Sequence, residues 1–353
     1  MEQIGGDMIT VFDERQRRHD PQFFLSSGAR APCPEQPARI DALKEGVEKA
    51  GGPIVKPDDH GLLPIAAVHP ERYLTFLKGI HARWQKIQGA SPEVIPNIHP
   101  ASRTDGYPKS AVGQAGFHMT DTSCPIGAET WGSAYASAQT ALQAAKLVLD
   151  GERAAYALCR PPGHHAFADL AGGFCYLNNS AIAAEAMTRA GRRVAILDVD
   201  LHHGNGTQGI FYGRGDVLTV SLHAHPERFY PFFWGYAEER GTGAGDGANL
   251  NLPLKRGTGD EGFLAALDRG LKAVREFRAD TLLLALGLDA FEGDPFAGLA
   301  VTTPGFAAIG RAVAAEGLPT LIVQEGGYLC PQLGDNLAAV LGAWPVADGD
   351  GTR

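Results

Sequence analysis

Paired cysteines are missing from this sequence. The five it holds, Cys33, Cys124, Cys159, Cys175 and Cys330, are odd in number, and none stands in the CxxC spacing of a thiolate zinc site. That argues against a disulfide framework and a cysteine-held metal, and leaves reduced thiols as the expectation. Long apolar runs are missing too. No segment approaches the roughly 18 apolar residues of a membrane span, and the opening MEQIGGDMITVF has neither the basic start nor the apolar stretch of a signal peptide. A soluble, cytoplasmic protein that meets no membrane is expected. Positive charge is in deficit: 31 Lys and Arg stand against 40 Asp and Glu, a net charge of −9. The clustered cations that a nucleic-acid surface needs for counterion release are not there. An acidic protein weakly favours cationic substrates instead. Internal repeats and low-complexity linkers that would divide the chain are absent as well.

What the sequence does hold is apolar residues in short pieces. They make up 44% of 353 residues, enough for one large core, so a single domain over 1–353 is expected. RRVAILDVD (192–200), DVLTVSLH (216–223), DTLLLALGLD (280–289) and PTLIVQEGGY (319–328) are continuous apolar runs that end in polar or glycine residues, and AAYALCRPPGHH (154–165) behaves alike. Such runs read as strands buried on both faces. Between them, 131–150, 178–190, 260–277 and 304–315 have helical character. The alternation predicts an α/β fold with a mostly parallel central β-sheet flanked by helices on both faces. Ligands bind beyond the carboxyl ends of such strands, where all five polar ends would meet. The Gly-, Pro- and Ser-rich stretch from about 88 to 130 is long for a loop, and loops of that length are usually functional or disordered. WPVADGDGTR, 344–353, reads as a frayed tail.

LDVDLHHGNG (197–206) carries the most chemistry. Alternation along a strand would put Asp198, Asp200 and His202 on one side, where a carboxylate and an imidazole two residues apart grip one metal ion. Gly204 would then let the backbone turn away. A lone polar residue at a strand end usually caps backbone; four together argue for a metal, because buried charges persist mainly when paired or metal-bound. A catalytic site needs a third ligand and an open position. GLDAFEGDP supplies Asp289, the better placed, and Asp294. Zinc is the leading metal for this oxygen-rich set, with Fe2+ or Co2+ possible. In RPPGHHA (160–166) Gly163 would permit an unusual backbone angle, and His164 and His165 look like a proton-transfer pair. In QEGGY (324–328) the Tyr328 hydroxyl is a candidate oxyanion donor.

These motifs, with GGFCYLNN and TVSLH, in this order and spacing resemble the histone deacetylase and acetylpolyamine amidohydrolase family of the arginase/deacetylase fold, over roughly residues 10–345. FYGRGDV, GYAEERGTGAG and the 88–130 stretch look most like the bacterial acetylpolyamine amidohydrolases. The resemblance implies zinc on Asp200, His202 and Asp289. It makes His165 the general base and then acid, His164 its electrostatic partner, and Tyr328 the donor to the amide oxygen. Asp198 and Asn205 would support His164 and His165. Asn205 stands where some members have Asp, and a neutral amide should keep His165 easier to hold unprotonated. A structural potassium ion is implied at Asp198, Asp200, His202, Ser221 and Leu222. Phe174 and Phe233 match the aromatic walls of the family's substrate tunnel, with Gly173 beside them. The 88–130 stretch resembles the insertion through which acetylpolyamine amidohydrolases pair, so a homodimer is expected.

The expected activity is release of acetate from N-acetylated amines. The family's acidic tail-binding positions fall here on Phe24, Val112 and Ser123, none of them charged, with Asp121 a nearby carboxylate. Shorter substrates such as acetylputrescine and acetylcadaverine are therefore expected to be preferred over acetylspermine. Protein acetyl-lysine deacetylation is the nearest alternative. A ureohydrolase with two bridged metals would recruit Asp294 and leave GHH and GGY unexplained. A non-catalytic reader of acetylated ligands would lack the tyrosine or a histidine, and both are present.

Overall fold

The computed structural model describes residues 8–104 and 106–344, so all of the expected 344–353 tail but Trp344 lies outside the described residues. In chain order the strands are β1 (Ile9–Val11), β2 (Phe23–Ser26), β3 (Ala29–Pro32), β4 (Ile54–Val55), β5 (Ala154–Ala157), β6 (Val194–Asp198), β7 (Val217–Ala224), β8 (Asn249–Leu254), β9 (Thr281–Leu286) and β10 (Thr320–Gln324). Eight of them form one parallel sheet in the order β4-β1-β5-β10-β9-β6-β7-β8, and β2 and β3 form a separate hairpin.

Both faces of the sheet are buried, which is why its central strands read as unbroken apolar runs. Along β9, Leu282, Leu284 and Leu286 enter one core with the helices Ala38–Ala50, Asp260–Phe277, Thr303–Ala314 and Leu333–Leu341. Leu283 and Ala285 enter the opposite core with Thr130–Leu149 and Asn179–Arg189. Alternation of side chains along each strand divides the two layers. The four expected helices fall within one residue of the observed ones at each end. Among the described residues, no helix is long and apolar enough to cross a membrane.

All five expected strands stand in the sheet, and four of them end short. The first stops at Asp198 rather than residue 200, and the others at Ala157, Leu286 and Gln324. Two of the strands end on the polar residue that closes their apolar run, Asp198 and Gln324, and the other two leave the ladder just before Arg160 and Asp289; these post-strand turns build the site. The stretch 88–130 is folded rather than loose. It contains the helix Ala111–His118, pairs Val94 with Ile126 by mutual backbone hydrogen bonds of 2.9 and 3.1 Å, and buries both in a third apolar cluster with Tyr73, Phe76 and Ile80.

Candidate active site

The turns after β5, β6, β9 and β10 converge at the carboxyl edge of the sheet, as parallel topology requires. Asp200, His202 and Asp289 come together, with candidate ligand atoms all within 4.8 Å of one another. They meet through a bend and not through strand alternation, because β6 has already ended at Asp198. His202 Nδ1 lies 3.3 Å from Asp200 Oδ1 and 3.1 Å from Asp289 Oδ2. Backbone N–H groups hold the carboxylates: Leu201 N donates to Asp289 (2.9 Å), His202 N to Asp200 Oδ1 (2.8 Å) and Gly326 N to Asp200 Oδ2 (2.8 Å).

The trio is electrostatically suited to a cation. Burial opposes charge on His202, yet its hydrogen bonds to Asp200 and Asp289 and their charges push its pKa up to about 9. Burial and then the Asp200 charge raise Asp289. Two buried carboxylates and an imidazole form a zinc-type donor set that a divalent ion would neutralise. Asp294 is not part of it. Its oxygens accept from Tyr328 N and Phe296 N, each at 2.9 Å, so it anchors the tyrosine turn.

His164 and His165 lie beside the trio, ring centroids 4.0 Å apart. His164 Nδ1 meets Asp198 Oδ2 at 2.9 Å. Burial disfavours its charge, but Asp200 and Asp198 outweigh that and raise its pKa well above the ordinary value. His165 goes the other way: burial, then the charges of His164 and His202, hold it well below. Its Nδ1 meets Asn205 Oδ1 at 2.7 Å. An amide oxygen only accepts, so Nδ1 carries the hydrogen and Nε2 keeps a free lone pair. The two neighbouring imidazoles are therefore pushed in opposite directions.

Gly204 and Gly163 are required for space and not for dihedral freedom. Gly204 has φ −74° and Gly163 is not in the left-handed region. A Cβ at Gly204 would sit 2.3 Å from Asp198 Oδ2, and one at Gly163 would sit 2.4 Å from Asn179 N.

A cavity of about 450 Å³ leads from the surface to His165, His202 and Tyr328. Phe174, held at φ 65°, packs on Phe24 and Tyr328. Gly173 follows the backbone under His165, where a Cβ would stand 2.5 Å from the ring. Phe233 lies at the mouth, 78% exposed. The ring set deep against the histidines is Tyr230, edge-on to His165 at 4.8 Å, and Phe296 packs on His202 at 5.1 Å. Phe24, Ser123 and Asp121 line the cavity; Val112 does not, and packs instead on the third apolar cluster. Asp121 accepts from Tyr230 Oη (2.7 Å), Ser123 N (2.7 Å) and Gly173 N (3.2 Å). Ser221 faces Asp198 across the β6–β7 register and hydrogen-bonds His223 (2.9 Å), while the Leu222 side chain is buried in the core.

A model of the histone deacetylase domain matches residues 33–344. The chain belongs to the histone deacetylase family, and it is a deacetylase-type enzyme. It is 46% identical to an acetylpolyamine amidohydrolase of Burkholderia pseudomallei over 97% of this chain and 100% of that one. It is 42% identical to an acetylpolyamine amidohydrolase of Mycoplana ramosa over 95% and 98%. The crystal structure of an acetylpolyamine aminohydrolase from Burkholderia pseudomallei superposes with a TM-score of 0.92, at 46% identity, covering 96% of this chain and 98% of that one. The HDA15 HD domain superposes at 0.78 with 26% identity, covering 96% and 90%.

Several site residues escaped the sequence reading. Tyr230 and Phe296 sit in segments rich in aromatics, where only the fold selects the ring that faces inward. Arg39, fully buried, spans to the tyrosine turn: Nε donates to Gly327 O (2.6 Å), Nη2 to Glu325 O (2.8 Å) and Nη1 to Glu35 (2.7 Å). Glu35 also accepts from Arg160 (2.8 Å). An Arg and a Glu four residues apart before and within a helix gave no signal beyond an ordinary surface pair.

Proposed function

We propose that the protein is a zinc-dependent amidohydrolase releasing acetate from N-acetylated amines, with short acetylpolyamines such as acetylputrescine and acetylcadaverine as preferred substrates. The observation that carries this reading is the convergence of Asp200, His202 and Asp289 with a neutral His165 and Tyr328 at the inner end of an aromatic-walled cavity. Asp200, His202 and Asp289 would hold the zinc. When bound, the metal would polarise the amide carbonyl and acidify a water.

His165 Nε2 takes a proton from the attacking water, its free lone pair set by Asn205. The Tyr328 hydroxyl donates to the amide oxygen as negative charge develops. Asp294 fixes the backbone of that tyrosine. The proton on His165 then passes to the nitrogen as the C–N bond breaks. His164 stays protonated against Asp198 and Asp200 and favours the oxyanion. Asp198, Asp200, His202, Ser221 and Leu222 make up the proposed potassium site, with Leu222 offering its backbone carbonyl.

Phe174 and Tyr230 bound a channel suited to methylenes. Asp121 is the one carboxylate among the described lining residues and would attract the far ammonium. The identity to acetylpolyamine amidohydrolases over nearly the whole chain supports the substrate class. The protein would act in the cytoplasm as a homodimer paired through the 88–130 stretch, which leaves Ile98 60% exposed. The test is kcat/KM for the zinc-loaded protein across acetylputrescine, acetylcadaverine, acetylspermine and an acetyl-lysine peptide. The two diamines should lead; a lead for the peptide would make the enzyme a protein lysine deacetylase.

A further inference from the structure

Glu325 is a buried carboxylate that the chemistry above does not use. It is 0% exposed, and among the described residues no Lys or Arg side chain pairs with its carboxylate. Its Oε2 accepts from Gly163 N at 2.6 Å and His164 N at 3.0 Å, and its Oε1 is bonded to Ser180 Oγ at 2.8 Å. Its backbone is fixed as well: its N–H donates to Leu286 O (2.9 Å) and its carbonyl accepts from Arg39 Nη2 (2.8 Å). The next residue, Gly326, donates to Asp200, and Tyr328 follows two residues later.

We infer that Glu325 is a positioning residue that locks the His164–His165 turn to the Tyr328 turn, so that base and oxyanion donor approach the amide in one fixed geometry. Without it, two N–H groups beside the histidines would be buried unpaired, and the turn would have to shift to reach other acceptors. A second metal on His164, Cys175 and Glu325, which lie close enough to share one, is the poorer reading. Glu325 Oε2 already takes two N–H bonds, His164 Nδ1 is engaged by Asp198, and burial drives the Cys175 thiol pKa well above its ordinary value. All three groups that Glu325 holds, two backbone N–H groups and a hydroxyl, are uncharged, so the lock works through hydrogen-bond acceptance and needs no full charge; burial also raises the carboxyl to about 7.

That distinction defines the experiment. Glu325→Gln keeps the shape, with its amide oxygen able to take both N–H groups and its NH2 able to donate to Ser180 Oγ; Glu325→Ala removes the acceptor. The Ala variant should lose about 10–100-fold in kcat with KM within about 3-fold of the parent, as supporting residues around a metal site typically do, and the Gln variant should recover kcat to within about 3-fold. Zinc content and circular dichroism should match the parent in both. The inference rests on the amide-hydrolysis reading for its kinetic arm only. Amide exchange at Gly163 and His164 needs no substrate and should accelerate at least tenfold in Ala and not in Gln, so a parent inactive on every acetylated amine would sink that reading while exchange still judged the lock. Parent-like kcat and exchange in a folded Ala variant overturn the inference. So does a Gln variant as impaired as Ala; and if the Ala variant does not fold, a Gln variant down by more than about tenfold overturns it alone.

Discussion

Asn205→Asp changes little in shape and adds a full charge, and its effect on turnover can be worked out. In the parent, His165 Nδ1 is 2.7 Å from the neutral Asn205 oxygen, while burial, then His164 and His202, keep the imidazole pKa well below its ordinary value. A carboxylate at that distance favours imidazolium by about 1–3 pKa units, or about 1.4–4 kcal/mol. With His165 as the proposed neutral base, activity should disappear as pH falls through its pKa. Raising that pKa moves the acid limb of the kcat/KM profile upward by the same 1–3 units, leaving the variant slower at low pH and as fast or faster once the base is neutral. The position opens the helix Asn205–Phe211, where a negative charge is tolerated by the helix dipole, so the fold should persist. The assay is a kcat/KM profile from pH 5 to 9 on acetylputrescine for parent and variant. An acid limb that stays within about 0.3 unit of the parent, or moves down, would refute the base assignment and the role of Asn205.

Tyr328→Phe should lower kcat by roughly two to three powers of ten with modest change in KM, as for loss of one oxyanion donor; turnover within a few-fold of the parent would remove Tyr328 from the reaction. Asp200→Asn or His202→Ala should abolish both zinc binding and activity and leave the circular dichroism of the large core intact; stoichiometric zinc with full activity in either would refute the ligand set. His69 should oppose folding at low pH. Its Nδ1 meets Ala168 O and its Nε2 accepts from Asn178 N, each at 2.9 Å, and burial brings its pKa down to about 4. A folded-state value below the unfolded 6.5 means that the unfolded chain binds more protons between the two, so stability is full above pH 6.5 and falls by about 2 kcal/mol on going from pH 7 to 5. Imidazole NMR should show His69 neutral at pH 5 in the folded protein, and titration near 6.5 would contradict this. Light scattering should give a dimer, and a monomer with unchanged substrate preference would count against pairing through the 88–130 stretch.

The layout of the sheet was legible because burial on both faces writes itself into composition. VAIL, VLTV, TLLLAL and TLIV can only be strands when each is bounded by polar residues and separated by a helical stretch. The sheet strands that escaped lie at its edges or next to one: β4 and its neighbour β1 have two and three residues, and β8 alternates Asn249 and Asn251 with leucines; the β2–β3 hairpin outside the sheet escaped as well. Those asparagines are buried but paired with Gln208, so polarity there reports a hydrogen-bond network and not exposure. The 88–130 stretch looked like loop because its glycines and prolines punctuate short apolar pieces, each too brief to show a period, that only the third cluster unites.

Within the site, identity of residue type was easier to read than direction. Aspartates, histidines and a tyrosine at strand ends announce a metal and proton transfer by chemistry alone, and parallel topology guarantees that the ends meet. Which ring faces inward depends on backbone turns that composition does not record. YPFFW offers four aromatics in five residues; family matching selects Phe233, which lines the cavity at its exposed mouth, while the turn sets Tyr230 deeper, against His165, with its hydroxyl on Asp121. The same limit applies to Gly163 and Gly204. A glycine beside a histidine suggests an unusual dihedral, whereas here the missing Cβ makes room for an Asn179 N–H and an Asp198 carboxylate. An alanine at Gly204 would therefore displace the carboxylate that holds His164, with no change in backbone preference, and it should cost activity well before it costs stability.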